Sequence, residues 1–366
     1  MMISLTSSVL LLIAVLFYGR GKLYKPHCLY FFWVVWFWVT VLMSRIINPQ
    51  YAFGWKTIMM HLLPGYVLCI FFSYSSTATD LIGQFERALI YGCELFLCYI
   101  VLMDGQSLVR GQVLRLGSSA SGNVNTAAMY LCYCVTMIYY LIVIKQRKKL
   151  LPLFALSCLA ILLTGSKKGV VGVCIILALV SIYRYKWKVW KYVSVCIGAL
   201  ILYYLIRNNE LFYQALGRRI DKFFADLMQP NVVHSSTGER VDMYRWGVKF
   251  FLQEPLFGNG YGYFAANSGW GTYSHSNYME LLVSFGAVGT LIYYSIFLSI
   301  IVKSISHLSE NTSILFLTFC VEQLFFDSAA VNFYDNPFMY LFLYVASRYF
   351  YEMERVKKCK VLYKHT

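Results

Sequence analysis

Long apolar runs separated by short polar ones dominate the hydrophobic pattern of this chain. Spans of the roughly 20 residues that a bilayer demands can be placed at about eleven positions. The predicted spans lie near residues 3–18, 28–43, 56–73, 81–103, 124–144, 150–164, 168–183, 192–206, 277–302, 312–327 and 337–351. The pattern therefore predicts an all-α polytopic membrane protein in which residues 1–366 form a single membrane domain.

One long segment, residues 207–276, is too polar to cross a membrane. Within it, Ser236 or Thr237 can cap a helix that stops before Pro255. The apolar positions of this helix recur at helical spacing, at Val241, Tyr244, Val248 and Phe251. We therefore expect a large loop that carries an amphipathic helix.

The composition agrees with a membrane protein. The chain is 59% hydrophobic and 13% charged, whereas soluble domains carry about 25% charged residues. The mean hydropathy is +0.58. The net charge of +15 does not indicate nucleic-acid binding, because the lysines and arginines gather in short runs between apolar segments, where topology signals lie.

Those basic runs predict the orientation of the chain. Cytoplasmic loops are enriched in Lys and Arg, and the spans above bring every basic run to one side. The runs are residues 19–25, 145–149 and 184–191, Lys303 and the tail 355–364. The N-terminus and the 207–276 loop are then predicted to be external, and the C-terminus cytoplasmic.

The eleven cysteines do not predict a disulfide framework or a zinc site. Ten of them fall in apolar runs, and Cys359 lies in the basic tail. No CxxC or Cys/His spacing suggests a metal. We expect small buried hydrophobic side chains here, and neither a metal nor another cofactor.

The external loop carries the candidate chemistry at its two ends. Arg240 lies in the first turn of the predicted helix, and glycines at several positions allow tight turns before His275 opens the next apolar run. A guanidinium can bind an anion, and an imidazole can act as a base near neutral pH. The plain alternative is that Arg240 and Arg245 are solvated charges on an interfacial helix and that His275 is structural.

Several short motifs follow one another along the chain. They are STGER at 236–240, the PLFGNG turn at 255–260, and His275 followed after ten residues by Gly286. Upstream lie LTGSKKG at 163–169 and the pair Asn123 and Asn125. Together these motifs resemble the O-antigen polymerase and O-antigen ligase superfamily, which has an H-x10-G pattern, an LTxSR motif and an NPN-type element. Lys167 or Lys168 stands where the family usually has Arg.

The resemblance implies a GT-C-like membrane glycosyltransferase of the bacterial cytoplasmic membrane. Its donor and acceptor would be oligosaccharides linked to undecaprenyl pyrophosphate, and its partners would be membrane lipid and a chain-length regulator. A leaving pyrophosphate needs fixed cations or a metal, and no DxD pair occurs on the predicted external loops. His275 would be the base and Arg240 the main cation. The proposed substrate-binding residues are Lys167, Lys168, Arg245, Asn277 and Asn125.

The sequence is compatible with three functions. The first is polymerisation of lipid-linked repeat units for a capsule, an exopolysaccharide or O-antigen. The second is ligation of a finished glycan to another acceptor by an enzyme of the same superfamily. The third is a flippase or transporter, which would normally place its ionisable residues within the spans and show related halves.

Lys167 and Lys168 could also merely flank a turn between two short helices.

Overall fold

A computed structural model describes residues 78–109, 115–121, 123–185, 236–333 and 336–362, together with scattered positions in 35–46 and 204–221. The described residues form helices and connecting turns, without strands. The helices are α1 Ala78–Val109, α2 Ser118–Ser121, α3 Val124–Val143, α4 Leu151–Thr164, α5 Lys167–Tyr185, α6 Ser236–Phe251, α7 Tyr263–Asn267, α8 Asn277–Ser306, α9 Asn311–Asp327 and α10 Pro337–Leu362.

Seven predicted spans coincide with helices. The predicted boundaries of 124–144 and 150–164, for example, agree with α3 and α4 to within one residue. Four of the described helices, α1, α3, α5 and α8, contain segments long and apolar enough to cross a membrane. The predicted spans 3–18, 28–43, 56–73 and 192–206 lie wholly or mostly outside the described residues.

The chain divides into two compact units. Unit 1 comprises Met1–Phe85, Ser236–Ser306 and Asp327–Thr366, and unit 2 comprises Glu86–Ser235 and His307–Phe326. The candidate loop and the helix that follows it belong to unit 1, whereas the LTGSKKG segment belongs to unit 2.

Unit 2 is built around α3, which packs against α4 and α5. Most of α3 is buried, and small residues allow its neighbours to approach closely. A Cβ atom on Gly169 would lie 2.9 Å from the side chains of Ala128 and Ile161. Close contact at small residues is typical of helix packing in membranes.

The outer face of α1 is apolar. Tyr91, Leu95, Tyr99 and Leu102 are all exposed, and they recur at helical spacing. A long exposed apolar stripe is unusual on a soluble protein but suits a helix whose outer face contacts lipid. Unit 2 therefore has the surface expected of a membrane domain.

Unit 1 is built around α8, which packs against α6, α7 and α10. A small apolar cluster at one end joins these elements, with Met243 and Phe250 from α6, Phe264 from α7 and Val283 from α8. The site described below lies around this end of α8.

Polar contacts in each unit join segments that were predicted to lie on the same side of the membrane. On the predicted cytoplasmic side, Arg147 pairs with Glu86 at 3.2 Å, and Lys303 pairs with Glu354 at 2.9 Å. On the predicted external side, the amide of Asn277 donates to the carboxylate of Asp327 at 3.2 Å. Each contact thus joins two segments at one end of its unit, and the side of the membrane on which they lie stays a prediction.

The buried face of α6 is not the face that carries Val241 and Val248. The side chains that pack inward are Met243 and Phe250, with Gly247 between them, whereas Val241 is 46% and Val248 is 48% exposed. Apolar character alone does not distinguish core positions from lipid-facing ones. Because Gly247 has no side chain, α6 can lie close to the side chain of Met279, and Gly247 is buried by this contact.

Candidate functional site

Helix α8 is interrupted at Gly286, where the backbone leaves the helical region at φ 64° and ψ −168°. The Pro255–Gly260 turn lies alongside this break. The N–H groups of Asn259 and Gly260 donate to the carbonyls of Val283 and Ser284 at 2.8 and 3.1 Å. In an unbroken helix those two carbonyls would accept bonds from residues four positions later.

The same turn also provides hydrogen-bond acceptors for the backbone N–H groups that follow the break. The N–H groups of Ala287 and Val288 donate to the carbonyls of Pro255 and Leu256 at 2.8 and 3.1 Å. Four hydrogen bonds to the turn thus replace the two helical bonds that the break removes. A broken helix at membrane depth requires such protein partners for its backbone.

Glycine is required on both sides of this contact. A Cβ on Gly258 (φ +77°) would lie 2.5 Å from the backbone nitrogen of Gly286, and a Cβ on Gly286 would overlap the carbonyl of Leu256. The PLFGNG turn and the glycine of the H-x10-G pattern are therefore two halves of one contact. The geometry gives a physical reason for the two motifs to occur together.

The turn also fixes the end of α6. The side-chain amide of Asn259 donates to the carbonyl of Phe250 at 2.7 Å. Because Asn259 also bonds α8 through its backbone, a single residue connects the C-terminus of α6 to the interrupted part of α8. Helix α6 is thereby held against α8, the helix that His275 precedes.

Arg240 lies one turn before Met243, on the face of α6 that packs inward at Met243, Gly247 and Phe250. Its side chain is half-buried. Within the part of the chain that the structure describes, the guanidinium has neither a hydrogen bond nor an ion pair. A half-buried cation without a protein carboxylate is suited to hold an anionic ligand.

Arg245 has a different environment on the same helix. Its guanidinium contacts Asp242 at 3.0 Å, and its side chain is 76% exposed. An exposed pair one helical turn apart is a weak surface interaction. Of the two arginines, Arg240 is thus the one whose charge is placed toward the packed face of α6.

His275 has the left-handed backbone conformation, with φ 57°. This conformation costs a residue with a side chain about 1–3 kcal/mol and persists where its surroundings enforce it, most often at functional sites. The imidazole is half-buried and lies edge-on to Tyr273, with 4.6 Å between the ring centroids. His275 is therefore held in an unusual conformation immediately before α8.

Asn277 is fully buried and its amide is fully engaged. Its oxygen accepts from the backbone N–H groups of Asn332 and Phe333, both at 3.0 Å. Its nitrogen lies within bonding distance of Tyr294 and Asp327, at 3.1 and 3.2 Å. The contacts indicate a role in holding the start of α8 to the segment after α9, since a ligand could reach this amide only by displacing one of them.

In unit 2, Asn125 and the LTGSKKG segment come together. The hydroxyl of Ser166 donates to the side-chain oxygen of Asn125 at 2.9 Å, and Ser166 also lies 3.4 Å from the N–H of Gly169, at the start of α5. Lys167 and Lys168 are half-buried in the first turn of α5. The N-terminus of a helix carries a partial positive charge, and the two lysines add positive charge at the same place. Both the helix end and the lysines therefore favour binding of an anion there.

Sequence reasoning missed a third cation in this region, Arg115. Its guanidinium donates to the carbonyls of Thr164 and Gly165 at 2.7 and 3.3 Å, directly before Ser166. The sequence showed two arginines, Arg110 and Arg115, between the predicted spans 81–103 and 124–144, and it does not show where either side chain is directed. The buried carboxylates Glu280 and Asp327 were missed for the same reason.

The predicted site residues thus fall into two groups. Arg240, Arg245, His275 and Asn277 belong to unit 1, in which α6 packs against α8. Lys167, Lys168 and Asn125 belong to unit 2. Among the residues that the structure describes, no three His, Cys, Asp or Glu side chains cluster closely enough to hold a metal ion.

Part of the chain matches the model of a known protein family. Residues 152–294 match the model of a family described as O-antigen ligase. None of the curated proteins compared with the chain matches it. The matched segment extends from α4 through α8 and includes the LTGSKKG segment, Arg240, the PLFGNG turn, His275 and Gly286. Residues 152–294 are thus similar to an O-antigen ligase-type domain, and the match supports the resemblance of this part of the chain to the O-antigen ligase and polymerase superfamily.

Proposed function

We propose that the protein is a glycosyltransferase that joins oligosaccharide repeat units carried on undecaprenyl pyrophosphate, at the external face of the bacterial cytoplasmic membrane. The observation that carries the proposal is the half-buried guanidinium of Arg240, which has no partner within the described residues. It lies on the helix packed against α8, and His275 lies two residues before the first residue of α8. A cation and a base on packed neighbouring elements suit transfer from a pyrophosphate carrier.

In the proposed reaction, an acceptor sugar hydroxyl attacks the anomeric carbon of the donor. The imidazole of His275 takes the hydroxyl proton as the new glycosidic C–O bond forms. The bond between the anomeric carbon and the pyrophosphate oxygen breaks, and undecaprenyl pyrophosphate leaves with the electron pair. Arg240 stabilises the negative charge that develops on the pyrophosphate.

The residues of unit 2 supply further proposed phosphate ligands. Lys167 and Lys168 occupy the first turn of α5, and Asn125 contacts Ser166 at the same turn. A lysine ammonium acts as a point charge, whereas the arginine of the family motif would bind phosphate through two parallel bonds. Substitution of Lys167 by Arg would be the family-like variant.

Ligation is the second candidate function, because the matched family is described as O-antigen ligase. The same residues would perform the same bond exchange, and only the acceptor would differ. A ligase would transfer a finished glycan to another acceptor and would leave the length of that glycan unchanged. The chain-length distribution in a deletion strain therefore distinguishes the two functions.

Removal of the Arg240 guanidinium is expected to reduce transfer by about 100- to 1000-fold, as loss of a fixed stabilising group does in other enzymes. Arg240→Ala should abolish the ladder of long glycans seen by gel electrophoresis of cell extracts, and Arg240→Lys should restore part of it. Lys249→Ala is the matched control, because Lys249 is an exposed cation on the same helix, stacked over Trp246 at 4.5 Å. A normal ladder from Arg240→Ala would refute the assigned role.

Transfer is also expected to continue in the presence of EDTA, because the proposed charge stabilisation comes from protein cations. The measurement is glycan lengthening by membranes that contain the protein, with and without the chelator. Loss of lengthening that is restored by a divalent ion would contradict the proposed charge stabilisation.

A further inference from the structure

The segment that carries His275 lies just before α8, and a buried carboxylate within α8 holds it in place. Glu280 is 3% exposed, and its Oε2 atom accepts a hydrogen bond from the backbone N–H of Ser274 at 2.9 Å. Ser274 is itself fully buried. The carboxylate thus reaches from the first turn of α8 to the residue on the far side of His275.

The contact is not an ordinary helix cap. In a capping box, a side chain in the first helical turn bonds the N–H of the capping residue itself. Here the capping position belongs to Ser276, whose carbonyl accepts from Glu280 N–H at 2.9 Å and whose hydroxyl lies 3.5 Å from the N–H of Met279. Glu280 bypasses both Ser276 and His275 and bonds the residue before them.

A second bond closes the same loop. The hydroxyl of Ser274 donates to the carbonyl of Ser276 at 3.0 Å. The residues on both sides of His275 are therefore tied to each other, and one of them is tied to the side chain of Glu280. With both neighbours fixed, His275 is held at φ 57°, and its Cα–Cβ direction is fixed with it.

We propose that Glu280 is a positioning residue for His275: its buried carboxylate oxygen, by accepting the Ser274 N–H, sets the left-handed backbone from which the imidazole projects toward the acceptor hydroxyl. The inference rests on the proposed function of His275 as the base. What Glu280 contributes is an acceptor oxygen at a defined place, and it makes no contact with the substrate. A base misplaced by about 1 Å can lose about 100-fold in rate.

Two conservative variants of Glu280 test separately whether the position of the accepting oxygen or its negative charge is needed. Glu280→Gln keeps an oxygen at the same distance along the side chain and removes the charge. Glu280→Asp keeps the charge and withdraws the carboxylate by one C–C bond, about 1.5 Å. We expect Glu280→Gln to retain a glycan ladder close to that of the natural protein, and Glu280→Asp to lose about 10- to 100-fold of the long chains.

A probe that does not depend on activity reports on His275 directly. Diethyl pyrocarbonate modifies accessible imidazoles, and mass spectrometry of the modified peptide follows His275 separately from the other five histidines of the chain. In the purified full-length protein, Glu280→Asp should change the rate of His275 modification at least about threefold, and Glu280→Gln should leave it unchanged. Glu254→Gln is the control, because Glu254 is an exposed carboxylate in the same unit.

The outcomes distinguish failure of the inference from failure of the proposed function. If Glu280→Asp leaves the modification rate of His275 unchanged, or if Glu280→Gln alters it as much as Glu280→Asp does, the positioning role is refuted. If the modification rates follow the expected order while the ladder is unaffected by every variant, Glu280 positions His275 but His275 is not the base. If both readouts follow the expected order, the inference is supported.

Discussion

Replacement of His275 by asparagine is expected to stop the formation of glycans longer than one repeat unit while the protein still inserts into the membrane. Asparagine tolerates the left-handed conformation that His275 adopts at φ 57°, but its amide is not a base. Loss of a general base typically lowers a rate by about 100- to 10,000-fold. The measurement is the ladder of chain lengths in cells whose own gene carries the substitution.

Comparison with a second variant separates the chemistry from the backbone. Alanine at position 275 lacks the base and also fits the left-handed region poorly, so His275→Ala should be as inactive as His275→Asn but less stable. His234→Ala, elsewhere in the predicted external loop, should give a normal ladder. A normal ladder from His275→Asn would exclude His275 as the base.

Replacement of Gly286 by alanine is expected to remove most of the protein from the membrane. The added Cβ would overlap the carbonyl of Leu256 at a residue with φ +64°, and it would separate the PLFGNG turn from the break in α8. Four backbone hydrogen bonds would be lost or distorted, at an expected cost of about 4 kcal/mol or more. The measurements are the protein level in membranes and the thermal midpoint of unfolding in detergent.

Gly92→Ala is the matched control for this substitution. Gly92 lies within α1, and a Cβ added there would meet nothing within 4 Å. Alanine is favoured over glycine inside a helix by up to about 1 kcal/mol, so this variant should be as stable as the natural protein or slightly more so. If Gly286→Ala kept a normal level and thermal midpoint, the turn would not be needed to hold α8.

Helix positions in the described part of the chain could be predicted closely from the sequence, because the thickness of the bilayer sets the length of each apolar run. The prediction of 277–302, for instance, coincides with most of α8. The break at Gly286 could not be found in this way, since the residues on both sides of it remain helical and apolar. Only the docking of a distant turn explains why the helix opens there.

The candidate site residues could be named from the sequence and stay predictions, whereas the side chains that hold them in place could not be named. The spacing of His275 and Gly286 was visible in the sequence, although the contact with Gly258 that requires glycine at position 286 is seen only in the fold. Asn277 was predicted to bind substrate, whereas its amide is engaged by Asp327, Tyr294 and backbone N–H groups. Buried polar side chains find their partners across the fold, and residue spacing does not contain that information.

We propose that His275 acts as the base in transfer of a glycan from undecaprenyl pyrophosphate to a sugar hydroxyl. The most direct measurement uses purified full-length protein in lipid nanodiscs with an undecaprenyl-pyrophosphate-linked oligosaccharide, and follows released undecaprenyl pyrophosphate together with the length of the glycan. Each released carrier should accompany one lengthening step, and His275→Asn should abolish both release and lengthening. Release and lengthening that continue undiminished in His275→Asn would contradict this proposal.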